Sequence, residues 1–142
     1  MIRITRQTDY AVVLLTAFAV KPARTARELS GETHVPLPMV SKTLKALARG
    51  GVLASQRGAK GGYRLARPIG SISVADVIGA LEGPIAITEC LDGECDIESL
   101  CPARARWDRI NHAIRKALAE VPISEMLRPV PFPPRREPAP AG

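Results

Sequence analysis

Apolar residues dominate the chain from Tyr10 to Val20, with Thr16 the one polar interruption. This run predicts a first helix over Asp9–Val20, too rich in Val, Leu and Ala to lie on a surface and therefore central to the core. Thr25-Ala-Arg-Glu28 reads as a capping box that opens a short second helix ending near Gly31. A third helix begins around Leu37 or Pro38, since proline is tolerated in a first turn. Leu37, Val40, Leu44 and Leu47 recur at steps of three and four and predict its buried face, leaving Met39, Ser41, Lys42, Lys45 and Arg49 on the other. Gly50-Gly51 stops it.

Two short strands, Val52–Gln56 and Tyr63–Ala66, flank a glycine-rich turn of residues 57–62. Ser73-Val-Ala-Asp76 starts a fourth helix with Val74, Val77, Ile78 and Leu81 on one side and Gly83-Pro84 as its stop. A last, longer helix runs from about Pro102 to Glu120, where Trp107, Ile110, Ile114, Ala117, Leu118 and Val121 form a stripe close to a heptad repeat. So small a chain has little else to cover that stripe, which predicts a seam with a second copy. The fold class expected is mainly α with a small β-hairpin, a winged helix-turn-helix plus a long C-terminal dimerisation helix. Its parts are a DNA-binding unit over 1–83, a cysteine loop and dimerisation helix over 84–127, and a tail over 128–142. That tail has six prolines in fifteen residues and is expected to be extended or disordered.

Charge sharpens this picture. Residues 1–67 hold 12 Lys/Arg against 3 Asp/Glu, whereas residues 68–127 hold 5 against 10. The basic first half is the polyanion-binding candidate. The apolar run falls short of the ~20 residues that span a bilayer, and no signal peptide is visible, so a cytoplasmic protein without a membrane partner is expected. No nucleophile–base constellation is apparent, and the glycines around Lys60 join strands rather than open a helix, which does not fit a phosphate-binding loop or an enzyme.

A short capped helix, a turn, an amphipathic helix with a basic face and a basic hairpin together suit double-stranded DNA, with the second helix in the major groove and the hairpin on phosphates or the minor groove. Met39, Ser41, Lys42 and Lys45 are the candidate groove residues, Met offering apolar contact to a thymine methyl and Lys favouring guanine or phosphate. In the hairpin the candidates are Arg57, Lys60 and Arg64, and Tyr63 is read as a packing anchor.

All three cysteines fall within twelve residues, Cys90, Cys95 and Cys101, in a polar loop. An odd count argues against a disulfide framework, and thiolates are soft ligands for an iron–sulfur cluster or for zinc. Five acidic residues nearby, Glu89, Asp92, Glu94, Asp96 and Glu98, would repel thiolates unless a cation intervened. The fourth ligand stays open among these carboxylates and His112, although His112 and His34 also read as ordinary surface or capping residues. A zinc or thiol-redox regulator, with Cys90 and Cys95 pairing on oxidation, is the alternative to an iron–sulfur sensor.

Thr8-Asp9-Tyr10-Ala11, Val35-Pro36-Leu37, Arg57-Gly58 with Gly61-Gly62-Tyr63, and the cysteine triad before a Trp-bearing helix resemble the Rrf2-type winged-helix regulators, which include IscR-like and NsrR-like iron–sulfur proteins. The resemblance covers Met1 to about Leu127. Ile4–Tyr10 and Trp107–Asn111 are most similar to the branch that regulates the Suf cluster-assembly operon. It implies a homodimer on a palindromic operator, a two-iron or four-iron cluster whose state sets DNA affinity, and, from NsrR-like members, Asp9 of the opposite subunit as fourth ligand. Asp9 also has a plain reading as a first-turn carboxylate favoured by the helix dipole. Two positions depart from IscR-like members. Arg104 stands where they have a ligating histidine, and Ser41 stands where they have an acidic base-reading residue. Neither their two-iron site nor their operator is therefore implied.

Overall fold

The computed structural model describes residues 4–57, 61–86 and 102–127, so the expectations for Lys60, the three cysteines and the proline-rich tail lie outside the described residues. Among the described residues, four α-helices and a three-stranded antiparallel sheet surround one apolar core, and a fifth α-helix packs outside it. Helix α1 spans Arg6–Ala17. It starts three residues before Asp9 because Thr5 caps it, its hydroxyl accepting from the Thr8 N–H at 3.3 Å. It stops before Val20 in a tighter turn, with the N–H groups of Phe18, Ala19 and Val20 each donating three residues back. Ala11, Leu14, Leu15 and Phe18 are buried at the centre of the core, whereas Val20 is 86% exposed.

Strand β1 is only Ala23–Arg24 and leads into α2, Ala26–Thr33. Thr25 accepts from the Glu28 N–H at 3.2 Å, as the capping motif requires. The helix runs past Gly31 and ends at His34, which takes the left-handed conformation with φ 61° and donates its N–H to the Ser30 carbonyl. Helix α3, Leu37–Arg49, buries Val40, Thr43, Leu44, Ala46 and Leu47. Leu37 departs from expectation: at the first turn it is 37% exposed, beyond the edge of the core. Gly50 caps the helix, and a Cβ there would lie 2.3 Å from the Ala80 Cβ, so the end of α3 rests directly on the next helix.

Strands β2, Leu53–Gln56, and β3, Gly62–Leu65, form the hairpin, and β1 pairs on the far side of β3 to give the order β1-β3-β2. Arg64 stands opposite Ala54 on one side and Ala23 on the other. A Cβ at Gly62 would lie 2.5 Å from the Arg24 carbonyl oxygen, and glycine alone permits that approach. Tyr63 packs against the core, as expected of an anchor.

Arg24 is the least ordinary part of the core. It is 3% exposed, donates from Nη1 to the Ala17 carbonyl at 3.2 Å, and pairs through Nε with Glu28 at 3.6 Å and through Nη2 with Glu32. One guanidinium therefore ties the end of α1, the outer strand and α2 together. Arg24→Met keeps the aliphatic stem but removes the charge-assisted bond to the Ala17 carbonyl and both ion pairs to α2, and the expected cost is about 2 kcal/mol, read as a lower urea midpoint at unchanged slope.

Helix α4 spans Val74–Glu82 behind a complete capping box, the Ser73 hydroxyl accepting from Asp76 N–H at 3.1 Å and the Asp76 carboxylate accepting from Ser73 N–H at 2.9 Å. Burial pushes the Asp76 carboxyl up, but the Ser73 bonds and Arg67, at 3.1 Å, outweigh it and hold it below its ordinary value. Helix α5 spans Arg104–Ala119. Beyond it the backbone returns to the winged-helix core. Val74 N–H donates to the Val121 carbonyl at 2.9 Å, Ile123 N–H donates to the Ile72 carbonyl at 2.8 Å, and Ile123 is fully buried in the same apolar core, its segment lying against α1 and residues 69–71.

Candidate nucleic-acid interface and metal site

Successive exposed positions on α3 are Pro38, Lys42, Lys45 and Arg49, spaced four, three and four residues apart and so aligned along one side of the helix. Ser41 flanks this side and is half-buried. Met39 is half-buried too, and it packs against the core rather than standing free, so its apolar surface is largely spent inside the protein. Leu37 and Pro38 provide the exposed apolar surface at the start of α3 instead. No acidic residue occurs between Glu32 and Asp76, a span that carries seven Lys and Arg. Arg49 and the length of this acid-free span are the signals that the prediction of four groove residues did not use.

Arg57 is exposed where β2 ends, and Arg64 is exposed on β3. Thus α3 and the hairpin carry separate basic surfaces, as a groove-plus-backbone reader requires. Arg67 is different: its pairing with Asp76 and its bond to the Ser71 carbonyl at 3.0 Å hold it to the body of the protein.

Among the described residues no three His, Cys, Asp or Glu side chains gather as a metal site. Asp9 is exposed in the first turn of α1, and no hydrogen bond or ion pair to its carboxylate occurs among the described residues. It borders a cleft of about 570 Å³ whose walls include Ile4, Arg6, Val12, Val74 and Met126. His34 serves as a helix cap, and His112 is exposed on α5.

One carboxylate near this cleft was not anticipated. Glu82, the last residue of α4, accepts at Oε1 from the Thr5 hydroxyl at 2.6 Å and the Thr8 hydroxyl at 2.7 Å. Desolvation raises its pKa, but the threonine bonds prevail and the net shift is downward. These bonds therefore favour the fold above the ordinary carboxylate range, and that stabilisation disappears as pH falls through the lowered value. Gly83 follows with φ 82°, and the Ile85 carbonyl then accepts from Arg115 Nε of α5 at 2.7 Å. The segment entering the cysteine loop is fastened to α1 and to α5.

On α5 the predicted stripe divides. Ile114 and Leu118 are half-buried, with Asn111 the fully covered position, while Trp107 and Ile110 are 42% and 45% exposed. No helix among the described residues is long and apolar enough to cross a membrane.

Comparison with known proteins agrees with this geometry. Residues 4–129 match the Rrf2 family, described as iron-dependent transcriptional regulators. Protein aau3 of Rhizobium meliloti is 36% identical over 119 residues, covering 82% of this chain and 74% of that protein. The HTH-type transcriptional regulator IscR of Xenorhabdus nematophila is 28% identical over 131 residues, covering 89% and 79%. The solved structure of CymR, the global cysteine regulator of B. subtilis, superposes with a TM-score of 0.68 at 24% identity, covering 89% of this chain and 97% of that one.

Proposed function

Since the chain belongs to the Rrf2 family of transcriptional regulators and is not an enzyme, we propose that it is a cluster-sensing repressor acting as a homodimer in the cytoplasm. The observation that carries the DNA-reading half is the exposed Lys42–Lys45–Arg49 side of α3 beside a hairpin bearing Arg57 and Arg64. Lys42 and Lys45 enter the major groove, with Ser41 at the flank and Met39 held back by its packing. Arg57, Arg64 and Lys60 contact the phosphates of the adjoining backbone or minor groove. In a dimer on a palindrome, the two α3 helices meet half-sites about one turn, ~34 Å, apart. Trp107 and Ile110 supply the outward side of α5 on which the second copy packs.

The sensing half rests on Cys90, Cys95 and Cys101 and on Asp9. Three thiolates and one carboxylate are a fitting donor set for an iron–sulfur cluster, two-iron or four-iron, because the thiolates bind iron strongly and the harder oxygen completes the set more weakly. Such a cluster, when bound, supplies sensitivity to oxidants, nitric oxide or iron supply, which suits control of iron–sulfur assembly or of stress genes. Asp9 has the exposure the role demands and lies on α1, whose inner face is core to the DNA-reading unit. A ligand from one subunit would thus tie the other's cysteine loop to that helix.

Anaerobically purified protein is expected to be coloured and to contain iron and acid-labile sulfide. Colourless, iron-free, zinc-loaded protein would overturn the cluster. Asp9→Ala is expected to leave the fold and the cluster-free DNA affinity unchanged while shortening the cluster's lifetime in air at least several-fold. An unaltered cluster in that variant removes Asp9 from the ligand set.

A further inference from the structure

Glu82 joins the end of α4, from which the chain runs on toward the cysteine loop, to the start of α1. It closes α4, and two residues later the chain passes through Pro84 toward the loop. Its carboxylate reaches 77 and 74 residues back along the sequence to Thr5 and Thr8. Thr5 is the cap of α1, and Thr8, 2% exposed, is the residue before Asp9. Both hydroxyls converge on a single oxygen, Oε1. Arg115 of α5 holds the Ile85 carbonyl three residues further on, so Ile85 moves with α5, and only Gly83 and Pro84 separate that anchor from Glu82: a shift of α5, to which the cysteine loop leads, reaches Glu82 through this short connection. We propose that Glu82 is a positioning residue: it transmits the state of the cysteine loop to the start of α1, and through α1 to the recognition helix packed on it, by holding Thr5 and Thr8.

The chemistry suits a switchable contact. Two hydroxyl-to-carboxylate bonds are short and charge-assisted, yet Glu82 remains exposed enough for water to replace the threonines when the loop shifts. Loss of both bonds frees the cap of α1 without opening the core around Leu14 and Leu15. The contact can therefore break and re-form while the fold persists.

This inference deepens the cluster-sensing reading, and its test separates the two. Operator affinity is measured for cluster-loaded and cluster-free protein, and the ratio between them is the coupling, typically about 5–150-fold in systems of this kind. In Glu82→Gln and in Thr8→Val the ratio is expected to collapse to within about threefold of unity, while the visible spectrum shows the cluster still bound. Thr8→Ser, which keeps the hydroxyl, is expected to retain the wild-type ratio. Should Glu82→Gln lower both affinities equally, or leave the ratio at its wild-type value, Glu82 is only a structural contact and the inference fails. If Thr8→Val proves too unstable to assay, Thr5→Val, at an exposed position, removes the other half of the same contact. Wild-type protein that holds no iron overturns the sensor reading itself, a result distinct from failure at Glu82.

Discussion

Protein carrying Cys95→Ser is expected to lose bound iron, labile sulfide and visible colour together, and with them any difference in operator binding between anaerobic and air-exposed samples. Cys95 lies in the middle of the triad, five residues after Cys90 and six before Cys101. Its loss leaves two thiolates, and a serine alcohol does not replace the third because it is a hard donor that stays protonated at neutral pH. A carboxylate such as Asp9 can complete a set of three thiolates but cannot substitute for one in a set already short. Far-ultraviolet circular dichroism should be unchanged. Retention of stoichiometric iron by Cys95→Ser would refute the triad as the ligand set.

The second large effect is on DNA. With Lys42 and Lys45 both changed to alanine, operator affinity is expected to fall about 100-fold, at ~1–3 kcal/mol for a base-edge contact and less for a phosphate contact. The slope of log affinity against log salt should become shallower by up to about 2, roughly one unit for each phosphate no longer neutralised. Both lysines are exposed, so stability should change by less than about 0.5 kcal/mol. Arg67→Ala is the useful contrast. Arg67 is engaged with Asp76 and Ser71, so its loss should lower thermal stability more than it alters the salt slope. An unchanged slope in the double lysine variant would place DNA elsewhere on the protein.

These predictions draw unequally on sequence and structure. The buried face of α3 was legible at Val40, Leu44 and Leu47 because a period of 3.6 is hard to mimic over three turns. It failed at Leu37, where the first turn projects past the core, and at Met39, whose long flexible side chain folds back onto it. Strand β1 left no trace in the pattern, since two residues cannot display an alternation. Its existence depends on Gly62, whose missing Cβ admits the Arg24 carbonyl, and a contact between positions so far apart is written in no local motif. Arg24 reads in the sequence as one more positive charge. Only the fold shows it buried, with Glu28 and Glu32 one and two helical turns further along. The same holds for Glu82, which looks like a solvated helix end until α1 and α4 are placed side by side. The basic surface was legible as composition, but which lysines face outward together required the helix; the cysteine spacing that nominates metal ligands falls outside the described residues.

The return of the chain after α5 bears on how DNA sites would be chosen. Ile123 sits in the winged-helix core and residues 121–123 are hydrogen-bonded to residues 72–74, so α5 does not swing on a loose tether. In a dimer joined through α5, the separation and relative rotation of the two α3 helices are then set by covalent and hydrogen-bonded structure rather than adjusted on binding. Such a protein acts as a ruler as well as a reader. One base pair inserted between half-sites turns one of them by about 35° around the duplex, at about 10–10.5 base pairs per turn, and a stiff ruler cannot follow. Discrimination among genomic sites would come as much from the length of the unread spacer as from the bases under Lys42 and Lys45.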